Sequence, residues 1–412
     1  MSHRGRPWAR VLVVGCGFPQ LGLIRFCRQQ QLEVVGLDAN PSAVGRSECD
    51  RWVLASTADA EAIAQAVRDQ AVDGVATAGS DLAVLPTALA AEATGRDFYV
   101  SSDLLRGVLH KHDMRARFQA GGAPSPPFRL IHSLPEAEDF AGAHGLPLVV
   151  KPSRGWGQRG VRVVMHASEL AAGVQAALAA AAGTMVHPGC LVEQYIAGRE
   201  FSVDAYTQQG RTEILAVTER LITEYPDPPG ITYAEVHPAQ LSCESQAAVE
   251  QAAIHGLEAL GYRRGPSYTQ LRSGLGGAFI LETALRLGGG LDPEVTFLAS
   301  GISLYRRIVG VALARTDWEA MGPEAPARNG AVGRFLVARP GRVQRVEGLE
   351  LARQMPGIVD AQVYVRPGGT VHPLVDGSKR AGHVLAHGQN RDDAEEKAQQ
   401  AMRVMHIVTE SP

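Results

Sequence analysis

Residues 149–164, VVKPSRGWGQRGVRVV, place Lys151, two arginines and three glycines between two β-branched runs. Runs of that kind around a glycine-dense loop predict a hairpin. Gly155, Gly157 and Gly160 carry no Cβ, so the backbone between them can bend sharply and turn its N–H groups onto a bulky anion. Lys151, at the end of the first strand, adds a point charge that suits phosphate. The spacing satisfies G-x-G-x-x-G, but a dinucleotide fingerprint needs a helix after the glycines, and Val161–Val164 reads as a strand. No Gly-Lys-Ser/Thr follows, which excludes a Walker A loop. An ordinary hairpin tip is the competing reading; a flap over nucleotide phosphates accounts better for the lysine and glycines together.

A second concentration lies at 267–290. Ser267–Arg272 and Ala278–Glu282, separated by the turn Gly274–Gly277, predict a hairpin that delivers Gln270 and Glu282 onto neighbouring strands. Arg286 and Gly288-Gly289-Gly290 follow. Glu282 with Arg286 reads either as a structural ion pair or, beside a triple glycine, as a phosphate and metal site, the reading preferred here.

Composition narrows the classes. A chain of 412 residues suits two to four domains. A net charge of −3 argues against a nucleic-acid polyanion as main partner, while leaving room for a local basic loop that holds one nucleotide. No apolar run approaches membrane-spanning length, and the basic N-terminus runs directly into a strand, so neither membrane insertion nor a signal peptide is expected. Cys16, Cys27, Cys49, Cys190 and Cys243 are odd in number and lack C-x-x-C spacing. That pattern predicts no disulfide framework, no zinc site and a reducing cytoplasm.

The elements that must position these residues begin with Val11–Val14, the turn Gly15-Cys16-Gly17, a helix from about Leu21 to Gln30, and a strand Glu33–Leu37 ending at Asp38. This is a Rossmann-like opening, although Gln20 stands where the third glycine belongs; a tight turn in a doubly wound sheet explains the glycines equally well. Alternation continues through Val53-Leu54, a helix after Asp59, the strand Gly74–Thr77 and a helix from Asp81 to about Thr94, implying a parallel sheet covered on both faces. A helix opens at His110-Lys111 and ends before Gly121-Gly122. Ser168 is expected to cap an alanine-rich helix that stops at Gly183, and Phe201–Tyr206 to form a half-buried strand paired with Ile214–Val217. Residues 226–238, with Glu235 and His237, read as a long loop walling a pocket, and 316–332 as a linker. Beyond the linker a smaller α/β unit is expected: strand Gly333–Val337, helix Leu349–Met355, a hairpin near Pro367–Gly369, strand His383–Ala386, and a last helix capped by Asn390.

Taken in order, a helix-starting lysine, a lysine before a glycine flap, the segment Leu191–Ile196, and Glu-x-x-x-Arg with glycines resemble the ATP-grasp superfamily, in its biotin carboxylase-like arrangement. Among its members the pattern is most similar to the carboxylate–amine ligases that include the L-amino acid ligases. The resemblance covers nearly the whole chain and implies an α/β fold: a pre-ATP-grasp parallel-sheet domain (1–107), a two-lobed α+β ATP-grasp domain (108–315) with its flap at 149–164, the linker, and a small C-terminal α/β domain (333–412).

The same resemblance implies that Lys111 and Lys151 hold ATP phosphates while the loop 154–160, with Gly155, Gly157 and Gly160, closes over them. Glu193 to Ile196 would form the adenine hinge, with the backbone of Gln194 and Ile196 reading the base, and Glu200 would take the ribose hydroxyls. Arg220 would stand near the phosphates and Arg286 would stabilise an acyl-phosphate. Implied cofactors are ATP and Mg²⁺ or Mn²⁺, the metal held by Glu282 and Gln270. Implied partners are a small carboxylate and an amine, amino acids among them, and a homodimer is a further implication. The implied chemistry is attack of a carboxylate on the γ-phosphate and capture of the acyl-phosphate by the amine, which depends on positioned cations.

The chain departs from the family pattern where a His and a Glu usually stand, at Tyr268 and Gln270, and in Glu282-Thr283-Ala284-Leu285-Arg286, where Ala284 replaces an asparagine ligand. Weaker metal binding follows, with slower or altered turnover. The alternative is a catalytically impaired ATP-grasp protein that acts as a nucleotide- or ligand-binding subunit.

Overall fold

The computed structural model describes residues 8–410 apart from 154–159, 182–188, 224–229, 275, 321–323, 325 and 326. Gly155 and Gly157 of the expected flap, and the Gly183 helix stop, lie outside the described residues.

The first unit follows the expected alternation: β1 (Arg10–Val14), α1 (Phe18–Gln29), β2 (Glu33–Asp38), β3 (Arg51–Leu54), α2 (Ala60–Asp69), β4 (Gly74–Ala76), α3 (Asp81–Thr94) and α4 (Ser102–Arg106). The strands form a parallel sheet in the order β3-β2-β1-β4. Continuous apolar runs such as Val11–Val14 are buried on both faces, as a parallel sheet sandwiched by helices requires.

Next come α5 (Lys111–Ala120), β5 (Phe128–Ile131), α6 (Leu134–His144), β6 (Leu148–Pro152), β7 (Arg162–Val164), α7 (Ala167–Ala181) and β8 (Cys190–Gln194). The strands make an antiparallel sheet in the order β5-β8-β6-β7, so Lys151 does end the first arm of a hairpin. Ser168 does not cap α7: it lies within the first turn. Glu169 does the capping, its carboxylate accepting from the backbone N–H of Met165 at 2.8 Å and His166 at 3.1 Å.

A large sheet follows, fed by β9 (Arg199–Gln208), β10 (Arg211–Ile222), β11 (Thr232–His237), α8 (Cys243–Leu260), β12 (Gly265–Gly274), β13 (Gly277–Ala284), α9 (Asp292–Ser300), α10 (Leu304–Ala312), α11 (Thr316–Ala320) and β14 (Gly330–Leu336). The chain closes with β15 (Gly341–Glu347), α12 (Leu349–Gln354), β16 (Ile358–Val363), β17 (Thr370–Val371), β18 (Gly382–Gly388), α13 (Arg391–Val404) and β19 (His406–Glu410). Strand order in the large sheet is β13-β12-β9-β10-β11-β14-β18-β16.

Several sequence expectations change here. Residues 232–237 are an interior strand hydrogen-bonded between β10 and β14, not part of a loop; the prolines bound its ends without entering it. β9 is not half-buried: every residue from Glu200 to Thr207 is enclosed, because β9 pairs on both edges inside the sheet and helices cover it. The expected linker carries α11, whose Trp318 packs edge-on against Phe26 at 6.2 Å, and whose buried Glu319 holds Arg264 and Tyr206. The C-terminal unit has no separate main sheet, since β14 continues the large eight-stranded sheet. No hairpin forms at 367–369: β16 pairs with β18, and β17 with β15. Among the described residues no single helix is long and apolar enough to cross a membrane.

Candidate functional site

A cavity of about 600 Å³ opens where three bodies meet: the β5–β8 sheet, the strands β9–β13, and the loops that end β4 and follow β18's approach. It is lined by Lys111, Lys151, Arg220, Arg272, Arg286 and Arg380, six cations on one surface. Such a density of charge fits a polyanion.

Five of the six are held by carboxylates. Lys111, in the first turn of α5, donates to Glu282 Oε1 at 2.9 Å across from β13. Lys151, on β6, donates to Glu193 Oε1 at 2.5 Å on neighbouring β8, while Arg115, one helical turn beyond Lys111, takes Glu193 Oε2 at 3.0 Å. Glu200 on β9 accepts from Arg220 Nε at 3.0 Å, from Arg272 Nε at 3.3 Å, and from the Gln270 amide. Arg286 forms a two-pronged pair with Asp81, Nε to Oδ1 at 2.8 Å and Nη2 to Oδ2 at 2.7 Å. Planar forks of this kind fix a guanidinium's orientation as well as its charge.

Burial pushes the Lys151 ammonium down to about 8 against the pull of Glu193. Glu193 stays below the usual carboxylate range: burial opposes its charge, but Arg115 and Lys151 outweigh it. Arg286 is likewise burdened by burial yet held above its ordinary value by Asp81.

The structure brings Lys111, Lys151, Gly160, Glu193, Gln194, Ile196, Glu200, Arg220, Gln270, Glu282 and Arg286 to this cavity or its rim. Some are engaged in ways the sequence did not indicate. Glu282 and Arg286 are not paired with each other. The Gln194 N–H donates to Pro127 O at 3.0 Å, and Ile196 O accepts from Arg272 at 3.1 Å. β12 and β13 form the expected hairpin, and its register places Gln270 directly opposite Glu282. Gln270 turns its amide toward Glu200, Glu282 faces Lys111, and Ala284 brings no oxygen. Among the described residues no group of three or more His, Cys, Asp or Glu side chains could hold a metal ion. These side chains therefore do not fit a protein-built metal cage.

The triple glycine serves packing. A Cβ on Gly289 would stand 2.8 Å from Gly79 O, one on Gly288 would meet Asp292 at 2.4 Å, and one on Gly290 would meet Glu235 at 2.5 Å. The first domain's β4–α3 turn thus lies directly against the Arg286 loop. At the N-terminal turn, Gln20 is engaged within the chain: its Oε1 accepts from Gly17 N at 3.1 Å, and its amide donates to Ala78 O. Asp38 is likewise occupied, accepting from Cys16 N and Asn40 N at 2.8 Å.

Sequence reasoning missed Arg115, Asp81 and Arg380. Arg115 was findable, since i+4 from Lys111 puts it on the same helical face. Nothing local marks Asp81 or Arg380. Also missed was a buried acidic group behind the cavity wall, where Glu235 is raised to about 8 by burial and by Asp292, and Asp204 is raised by burial and the same neighbours.

Residues 144–294 match the ATP-grasp domain, and residues 334–410 match the L-amino acid ligase C-terminal domain 2. An uncharacterized Sinorhizobium fredii protein, y4rH, is 30% identical over 295 residues, which is 71% of this chain and 59% of that protein. A Marinobacter nauticus D-alanine–D-alanine ligase is 33% identical over 129 residues, 31% of this chain and 38% of the enzyme. The chain thus spans well under two thirds of these two relatives. In fold it is similar to the L-amino acid ligase of Bacillus licheniformis, with a TM-score of 0.80 at 22% identity over 98% of this chain and 100% of that one. It is also similar to the biotin carboxylase of Campylobacter jejuni, with a TM-score of 0.78 at 17% identity over 97% and 92%. Domain matches and fold agree: residues 144–294 are an ATP-grasp domain, residues 334–410 an L-amino acid ligase C-terminal domain 2, and the chain as a whole has the fold of the ATP-grasp ligases it is similar to.

Proposed function

We propose that the chain is an ATP-dependent ligase that joins a small carboxylate to an amine through an acyl-phosphate. The observation that carries this reading is the convergence of Lys111, Lys151, Arg220 and Arg286 on one cavity, each held in place by a carboxylate. Phosphoryl transfer needs positioned cations more than a protein nucleophile, and their pre-set geometry spares reorganisation during reaction. In the proposal Lys111 and Lys151 hold the phosphates, Gly160 ends the flap above them, and the β8 end at Gln194–Ile196 receives the base. Glu200 takes the ribose hydroxyls while it keeps Arg272 and, toward the phosphates, Arg220 aligned. A carboxylate oxygen attacks the γ-phosphorus, the bond to ADP breaks, and Arg286 steadies the acyl-phosphate. The amine nitrogen then attacks the acyl carbon, the bond to phosphate breaks, and the nitrogen gives up a proton. Glu282 and Gln270 would offer side-chain oxygens to a cation that accompanies the triphosphate.

A second reading, nucleotide binding without turnover, is favoured by Gln270 and Ala284. ADP release in Mg²⁺ or Mn²⁺ with pooled amino acids and small carboxylic acids separates the two. Release that requires one pool and disappears in Lys151→Ala, with that variant's fold verified by circular dichroism, supports the ligase. ATP binding by calorimetry with no release from any pool supports the binder.

A further inference from the structure

Arg380 differs from every other cation on the cavity wall. Lys111, Lys151, Arg220, Arg272 and Arg286 each have a carboxylate within 3.3 Å. Arg380 has none among the described residues; its Nη2 donates to the Thr232 carbonyl at 2.6 Å, and its buried Nε has no hydrogen-bond partner. It reaches the cavity from the C-terminal unit, just after the turn Gly377–Lys379 that Asp376 caps. The guanidinium lies flat on Phe335, 3.7 Å from the ring centroid, which fixes its plane. Beside it Tyr364 packs on Phe18 at 4.7 Å, so apolar and aromatic surface flanks the charge.

A desolvated cation with an unused donor costs free energy unless a ligand's anion completes it. Burial lowers the Arg380 guanidinium below its ordinary range, although Glu235 and Asp292 pull it upward from a distance without a direct hydrogen bond among the described residues. Arg220 and Arg286 already serve the phosphate end under the proposed ligase reading. A planar guanidinium elsewhere in the cavity, backed by aromatic rings, matches a planar carboxylate attached to an apolar body.

We propose that Arg380 is a specificity-determining residue: it holds a carboxylate that is not activated, carried by the amine substrate, whose apolar part lies against Phe335 and Tyr364. This rests on the ligase reading and assigns the amine component to acidic amines, amino acids being the simplest, over uncharged ones.

The test uses the full chain and Arg380→Met, with L-phenylalanine and L-phenylalaninamide as probes, in two measurements. In the first, calorimetry with a non-hydrolysable ATP analogue bound compares the two probes. The acid is expected to bind better than the amide, and Arg380→Met is expected to shrink that preference about tenfold while nucleotide affinity holds within about twofold. In the second, ADP release at a fixed activated acid should show KM for L-phenylalanine rising about tenfold in the variant, with kcat and the KM for the amide little changed. Equal binding of acid and amide, or a preference that survives Arg380→Met, overturns the proposal. A preference lost in Arg380→Met with no ADP release from any pair would retain the subsite and overturn the ligase reading instead.

Discussion

Glu193 stands between two cations from different elements, 2.5 Å from Lys151 Nζ on β6 and 3.0 Å from Arg115 Nη2 on α5. The carboxylate is 3% exposed and Arg115 not at all, so neither charge has water to fall back on. Glu193→Ala is expected to cost about 3–5 kcal/mol of folding stability, because it strands a buried guanidinium. Urea denaturation of the parent and variant measures it; a change below about 1 kcal/mol would remove Glu193 from the framework of the site.

The same pair sets a pH dependence for nucleotide binding. Lys151 loses its proton near pH 8 in the free protein, and phosphate binds the charged form. Affinity for ATP should be level below that pH and fall as pH rises through it, by up to about tenfold per unit. Calorimetry from pH 7 to 9.5 reads the inflection directly. Lys151→Arg, which stays charged, should erase the inflection even if it weakens binding overall.

Asp81 starts α3 in the first domain, yet its carboxylate clamps Arg286 across 205 residues of sequence. It is 19% exposed, so its removal should spare the fold and loosen the guanidinium. Asp81→Ala is expected to lower kcat for ADP release roughly 10- to 100-fold with a smaller change in KM for ATP, since misplacement of a stabilising cation acts on the transition state. Unchanged kcat would detach the first domain from the chemistry.

Glu235 is 2% exposed and raised to about 8 by burial and Asp292. Its folded pKa exceeds its unfolded one, so the native state keeps a proton that the unfolded chain releases. Stability should therefore fall as pH climbs from about 4.5 toward 8, by at most about 1.4 kcal/mol per unit from this group. Glu235→Gln retains an acceptor for the Leu291 N–H and should flatten the slope, becoming the more stable protein at pH 8.5. Parallel pH slopes for both proteins in thermal unfolding would contradict this.

Short-range features of the chain were legible without a structure. Strand–helix alternation predicted the parallel sheet because side-chain periodicity is a local property. Turn glycines and β-branched runs predicted both hairpins, the second with Gln270 and Glu282 on neighbouring strands as expected. Lys151 stood out as a charge at a strand end before a glycine-dense loop, whereas Lys111 was marked only by the family resemblance.

Tertiary structure alone decided who partners whom. Lys111 finds Glu282 at a separation of 171 residues and Arg286 finds Asp81 at 205, distances over which no periodicity carries information. The polar, proline-flanked segment at 232–237 became an interior strand because β10 and β14 offered it two open edges. Gly288–Gly290 read as an anion loop from sequence; the fold adds a packing demand on the same glycines, since a Cβ there would strike Gly79, Asp292 or Glu235. Arg380 carries no local signal at all: its significance is that no carboxylate among the described residues pairs with it directly, a property of the assembled cavity that no stretch of sequence contains.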